Sequence, residues 1–128
     1  MTQVIAVGLG GCVGALLRYG LVGWIPQWPL SQTMPIPMGV LLVNLMGCLL
    51  IGVLKGLSDT RDFFSPATAL LVFTGCLGSF TTFSTFGMET VEMLQAGQWS
   101  SAVLYVGISV LVGLILVWVG YNISVLLA

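Results

Sequence analysis

Long apolar stretches separated only by short, turn-rich segments dominate this chain, and nothing else in it constrains the fold as strongly. A bilayer core is about 30 Å thick and takes roughly 20 mostly apolar residues per helix, at about 1.5 Å rise per residue. Four such stretches lie end to end, at about residues 2–24, 38–57, 67–94 and 101–127. Between them stand Pro26-Gln27-Trp28-Pro29, Ser58-Asp59-Thr60-Arg61-Asp62 and Gln95-Ala96-Gly97-Gln98-Trp99-Ser100, which hold most of the helix breakers and charges. With 58% hydrophobic and only 5% charged residues, the chain cannot furnish a water-soluble surface. The expectation is an all-α membrane protein, a single four-helix transmembrane domain over residues 1–128 with the lipid bilayer as its surroundings. The first stretch has no basic leader and outruns the apolar core of a secretory signal, so it is expected to remain in the mature protein.

Catalytic and metal-thiolate readings find little support. There is no His, and the four carboxylates sit at span ends or in a loop, so no Ser-His or metal constellation assembles. Cys12, Cys48 and Cys76 are far apart inside predicted spans and read as small packing residues rather than a disulfide or metal site. Trp24, Trp28 and Trp99 fall at span ends, where indole rings anchor in the interface. No basic patch suggests nucleic acid.

Orientation normally follows the excess of Lys and Arg in short cytoplasmic loops, and the chain has only three such residues. Lys55 and Arg61 flank the second loop on the side of both termini, and Arg18 lies toward the other side. So small a bias is compatible with insertion in both orientations. Two opposed copies would then pair about a two-fold axis in the membrane plane, recreating from two chains the inverted repeat of larger transporters. Four short helices also enclose a polar path poorly, which makes a homodimer the smallest expected assembly. Gly10 with Gly14 and Gly11 with Ala15 provide small-xxx-small pairs for close helix packing, and Gly47, Gly52, Gly107, Gly113 and Gly120 suit the same role.

A charged side chain at mid-helix costs about 2.5–3.5 kcal/mol on insertion scales, so each polar residue in a span calls for a partner or a function. Arg18 either snorkels or pairs structurally, or it meets an anion. Asn44, alone in the apolar run Gly39 to Gly47, either glues helices or turns its amide N–H groups toward an anion. The stretch Thr74 to Gly87 is rich in Gly, Ser and Thr among aromatics and is expected to break. Broken backbone at that depth frees carbonyls able to ligate a cation, and on a two-fold axis carbonyls of two chains would converge. Phe80, Phe83 and Phe86 recur every three residues, which predicts one stripe on a helix side with Ser84 and Thr85 beside it. Such a stripe is either packing or a row of electropositive ring edges facing a dehydrated anion. Tyr105, Ser109 and Gly113 share a helical face and either extend a hydroxyl track or bond a neighbouring helix. Glu89 either caps a pore mouth or faces the interface.

Three motifs carry a resemblance that spans essentially the whole chain. Gly10-Gly11-Cys12-Val13-Gly14-Ala15-Leu16-Leu17-Arg18-Tyr19, Val43-Asn44-Leu45-Met46-Gly47, and Gly75 to Phe86, ending Thr81-Thr82-Phe83-Ser84-Thr85-Phe86, resemble the successive helix signatures of the small fluoride channels called Fluc or CrcB. The resemblance implies an antiparallel dual-topology homodimer in a prokaryotic inner membrane, with two fluoride pores. It implies that the Gly78 and Thr81 carbonyls hold a structural sodium ion at the dimer centre. Phe83 and Phe86 would line the fluoride path, Asn44 would donate an amide hydrogen bond to the anion, and Ser84, Thr85, Tyr105 and Ser109 would form a polar track. Arg18 and Glu89 match family positions with structural or vestibule roles. Ser79 stands where the family often has glycine, and Phe80 is a bulky neighbour, which bears on the local shape of the break.

The function implied is passive, fluoride-selective export that relieves fluoride toxicity. A small dual-topology multidrug exporter is the competing transporter class, but it needs a carboxylate in the first span, where this chain has Arg18. A fluoride/proton antiporter would have Glu89 as its proton carrier. An accessory subunit, whose polar residues only join helices, would carry no ion flux.

Overall fold

The computed structural model describes residues 1–61 and 64–128, and the described residues are almost entirely helical, with no strand among them. Four helices are long and apolar enough to cross a membrane: Thr2–Gln27, Met38–Arg61, Pro66–Gln95 and Trp99–Leu127. The first runs as α-helix from Thr2–Trp24 and tightens into a 3₁₀ turn at Ile25–Gln27, where Pro26 suits the turn's start. Trp24 and Trp28 meet edge to face at 5.0 Å between ring centroids. A short helix, Pro29–Thr33, then leads to the second span.

The second span continues through Arg61, so Ser58 to Arg61 are helical rather than a loop, and Asp62 of the predicted loop lies outside the described residues. Three bonds explain this extension. Lys55 pairs with Asp59 one turn on, and Arg61 donates to the Leu127 and Ala128 carbonyls at 2.9 and 3.0 Å, capping the end of the fourth span. The third span starts at a serine cap: Ser65 Oγ accepts from Thr68 N at 3.2 Å, with Pro66 following. It ends at Gly97, whose φ of 74° reverses the chain toward Trp99.

The spans pair as first with third and second with fourth, and glycine decides both pairings. A Cβ at Gly10 would run into the Leu71 carbonyl, and one at Gly14 into the Cys76 carbonyl and Ser79 Oγ. Gly52, Gly56 and Gly120 allow the same approach between the second and fourth spans. Gly10 with Gly14 is therefore the close-packing pair. A Cβ at Gly11 or Gly107 would meet nothing within 4 Å, so neither packs against another span of its own chain. Gly11 contributes instead through its carbonyl, which accepts from Ser79 Oγ at 2.8 Å.

The third span is not one helix. Leu70–Leu77 winds with π-helical turns, Gly78–Phe80 regains α geometry, and the chain then breaks before Phe83–Gln95. Ile108–Val112 in the fourth span is also π-helical. Such widened turns lie next to functional sites in many helices, and here both border the same groove.

Candidate functional site

The helix break consists of Thr81 and Thr82, both extended, at φ −80°, ψ 156° and φ −146°, ψ 115°. Local side chains encode it. Thr82 Oγ1 caps the following helix by accepting from Thr85 N at 3.3 Å, a bond that competes with helix continuation. The same oxygen lies 3.0 Å from Thr85 Oγ1 and 3.4 Å from Ser84 Oγ, so one buried threonine gathers the hydroxyls beside it.

Asn44 holds the break from the second span. Its Oδ1 accepts from Thr82 N at 2.8 Å and its Nδ2 donates to Thr82 O at 3.0 Å. The amide thus satisfies both polar groups of a residue that is only 7% exposed. One N–H of Nδ2 remains beyond this clasp. Because Thr82 N turns to Asn44, it does not close the ordinary helical turn onto the Gly78 carbonyl, which lies four residues back. From the first span Arg18 Nη1 reaches Thr81 O at 3.4 Å. Arg18 accordingly points into the protein at the break rather than toward the interface.

The three phenylalanines do not form one stripe. The break turns the two sides of the motif apart: Phe80, 4% exposed, packs with Ile25 and Val43, whereas Phe86 joins a second cluster with Val40, Leu41 and Tyr105. Phe83 is 83% exposed. Its ring lies 5.6 Å from Phe86, and Phe86 lies 5.2 Å from Tyr105, both pairs tilted. Tyr105 is fully buried and donates its hydroxyl to Glu89 Oε2 at 2.5 Å. Glu89 in turn lines a separate cavity of about 180 Å³ near the connection between the first two spans.

A groove of about 370 Å³ runs beside the break, and Asn44, Gly78, Thr81, Phe83, Phe86 and Ser109 are among its lining. Ser109 Oγ is buried there without a hydrogen-bond partner, the one such side-chain atom among the described residues. The structure therefore gathers most of the predicted site residues in one place. Ser84 and Thr85 are exposed beside it, and Tyr105 stands behind Phe86. Tyr105 and Ser109 differ in their partners: the Tyr105 hydroxyl is taken up by Glu89, whereas Ser109 Oγ faces the groove.

Sequence reasoning does not single out Thr82, although a threonine just before a helical run is an N-cap signal. Cys48 also lines the groove, one turn beyond Asn44, and Ser79 ties the first and third spans.

Comparison with known proteins gives consistent results. The family described as CrcB-like protein, Camphor Resistance (CrcB), matches residues 5–121. The chain is similar to the fluoride-specific ion channel FluC of Methylobacillus flagellatus, at 43% identity across 95% of this chain and 94% of that one. It is 38% identical to FluC of Nitratidesulfovibrio vulgaris, across 94% of each chain. With FluC of Chloroflexus aurantiacus the identity is 41%, across 97% of this chain and 96% of the relative.

Proposed function

The chain belongs to the CrcB family, and from that membership we propose that it is a fluoride-selective ion channel, exporting fluoride passively down its electrochemical gradient. It is a multi-pass membrane protein. The observation that carries the reading is the Ser109 hydroxyl, buried without a partner in a groove beside the break. A buried hydroxyl without a partner is costly, and its O–H is the donor a dehydrated anion needs.

In this proposal Phe83 and Phe86 present ring edges to the ion, Ser84, Thr85 and Ser109 supply hydroxyls along the way, and Tyr105, its hydroxyl donated to Glu89, backs Phe86 and ties the track to the vestibule. Asn44 adds the N–H that its clasp on Thr82 leaves over. Glu89 shapes the vestibule, holding the Tyr105 hydroxyl.

A second copy in the opposite orientation completes the pathway. The support is chemical: Gly78, Phe83, Ser84 and Thr85 are exposed on the single chain at mid-span, and irregular polar backbone at that depth requires protein or water against it. The all-oxygen Gly78 and Thr81 donors suit a hard cation, and the Gly78 carbonyl lacks the helical donor that Thr82 N would give. Arg18 at 3.4 Å occupies only one of the two lone pairs of Thr81 O. These carbonyls, one pair from each copy, would hold a sodium ion. When bound it supplies fixed positive charge at the dimer centre. The prokaryotic inner membrane is the proposed location.

The test is fluoride efflux from liposomes containing only the purified protein, read by a fluoride electrode with chloride release monitored in parallel. Fluoride loss that is accelerated by a potassium ionophore, without chloride loss, is expected. Chloride released as fast as fluoride, or no release of either, would overturn the proposal.

A further inference from the structure

We propose that Arg18 is a positioning residue that fixes the backbone of the helix break: it holds the Thr81 carbonyl from the first span while Asn44 holds Thr82 from the second. The Thr81–Thr82 dipeptide is extended, so its polar groups have left the helical ladder and need other partners. Thr81 N still bonds Leu77 O at 3.1 Å, and Asn44 takes both polar groups of Thr82. Thr81 O has only Arg18, at 3.4 Å.

The charge of Arg18 points the same way. Among the described residues the one ion pair is Lys55 with Asp59, at the far end of the second span, so no carboxylate explains a half-buried guanidinium inside the first span. A charged side chain at that depth requires a partner, and the carbonyl of the break is the partner it has. Each side chain thus holds one residue of the break from a different span, and neither can move without shifting the other's hydrogen bond. Thr82 caps the second half of the third span, so the direction in which Phe83, Ser84 and Thr85 leave the break follows from this clamp. That last consequence for permeation rests on the channel reading; the clamp does not.

The sequence offers a selective probe. Thr81–Thr82 is the one Thr-Thr peptide bond in the chain, so protein labelled with ¹³C-carbonyl threonine and ¹⁵N-threonine gives a single directly bonded carbonyl–nitrogen cross-peak in lipid. Both of its nuclei report on the clamp. Arg18→Met, close in length but without a donor, is expected to move the Thr81 carbonyl line upfield and to shift the Thr82 nitrogen with it. Arg18→Lys, which keeps a charged donor, is expected to bring both back toward their wild-type positions and to restore fluoride efflux that Arg18→Met has lost. An unmoved cross-peak in Arg18→Met, or equal shifts in both variants, would overturn the proposal. If Arg18→Met does not fold, wild-type protein decides: with ¹⁵N-arginine and ¹³C-carbonyl threonine, a through-space guanidinium contact to the Thr81 carbonyl is expected, and its absence overturns the clamp. Because these spectra need no ion flux, a wild-type protein that carries no fluoride would count against the channel reading and not against the clamp.

Discussion

Replacing Asn44 by Ala should destabilise the fold by about 2–4 kcal/mol, more than an ordinary partly buried polar residue would. The substitution removes the acceptor 2.8 Å from Thr82 N and the donor 3.0 Å from Thr82 O in a single step. Each buried group left without a partner costs about 1–3 kcal/mol, so the pair could reach about 6 kcal/mol if both stayed dry. The groove beside Asn44 is open, and water entering it can recover part of that loss, which gives the lower range. Asn44→Asp sharpens the test. Its carboxylate can still accept from Thr82 N but cannot donate to Thr82 O, and it brings two electron-rich oxygens together, so it should be no more stable than Asn44→Ala. Equilibrium unfolding by SDS in mixed micelles, followed by helical circular dichroism, measures both variants. A loss below about 0.5 kcal/mol in Asn44→Ala, the range of a surface substitution, would refute the reasoning.

Ser109→Ala should separate stability from function, because it deletes a buried hydroxyl with no partner; stability should stay equal or rise by up to about 1 kcal/mol while fluoride efflux falls. Phe83→Ala removes a ring that is 83% exposed on the single chain, so helical content should persist in purified protein while fluoride efflux drops sharply. Gly10→Ala places a methyl group against the Leu71 carbonyl and should cost about 1–3 kcal/mol by overpacking, whereas Gly8→Ala, with open space around it, should be neutral in the same unfolding assay.

Four apolar spans, a break in the third and a cluster of polar residues around it were all legible in the sequence, because hydrocarbon makes length and polarity unusually informative. What periodicity missed follows from backbone geometry. Phe80, Phe83 and Phe86 read as one stripe only while the helix is assumed continuous, and two extended residues between Phe80 and Phe83 send the rings to different neighbours. Tyr105 and Ser109 likewise share a helical spacing that does not show that one hydroxyl goes to Glu89 and the other has no partner. Asn44 could be recognised as a residue needing a partner, but its partner is the backbone of Thr82, 38 positions away, and no sequence pattern marks that bond. The extension of the second span to Arg61 depends on carbonyls at the other end of the chain. Of the glycines, spacing alone cannot tell Gly10, which meets a carbonyl of the third span, from Gly107, which meets nothing within its own chain.

Selective, electrogenic conduction is the central claim, and a planar bilayer containing the purified protein, with fluoride on one side and chloride on the other, tests it most directly. A steady current whose reversal potential moves toward that of fluoride, and that disappears when chloride replaces fluoride on both sides, is the predicted result. A reversal potential near zero under the fluoride/chloride gradient, or no current in a bilayer shown to contain folded protein, would contradict it.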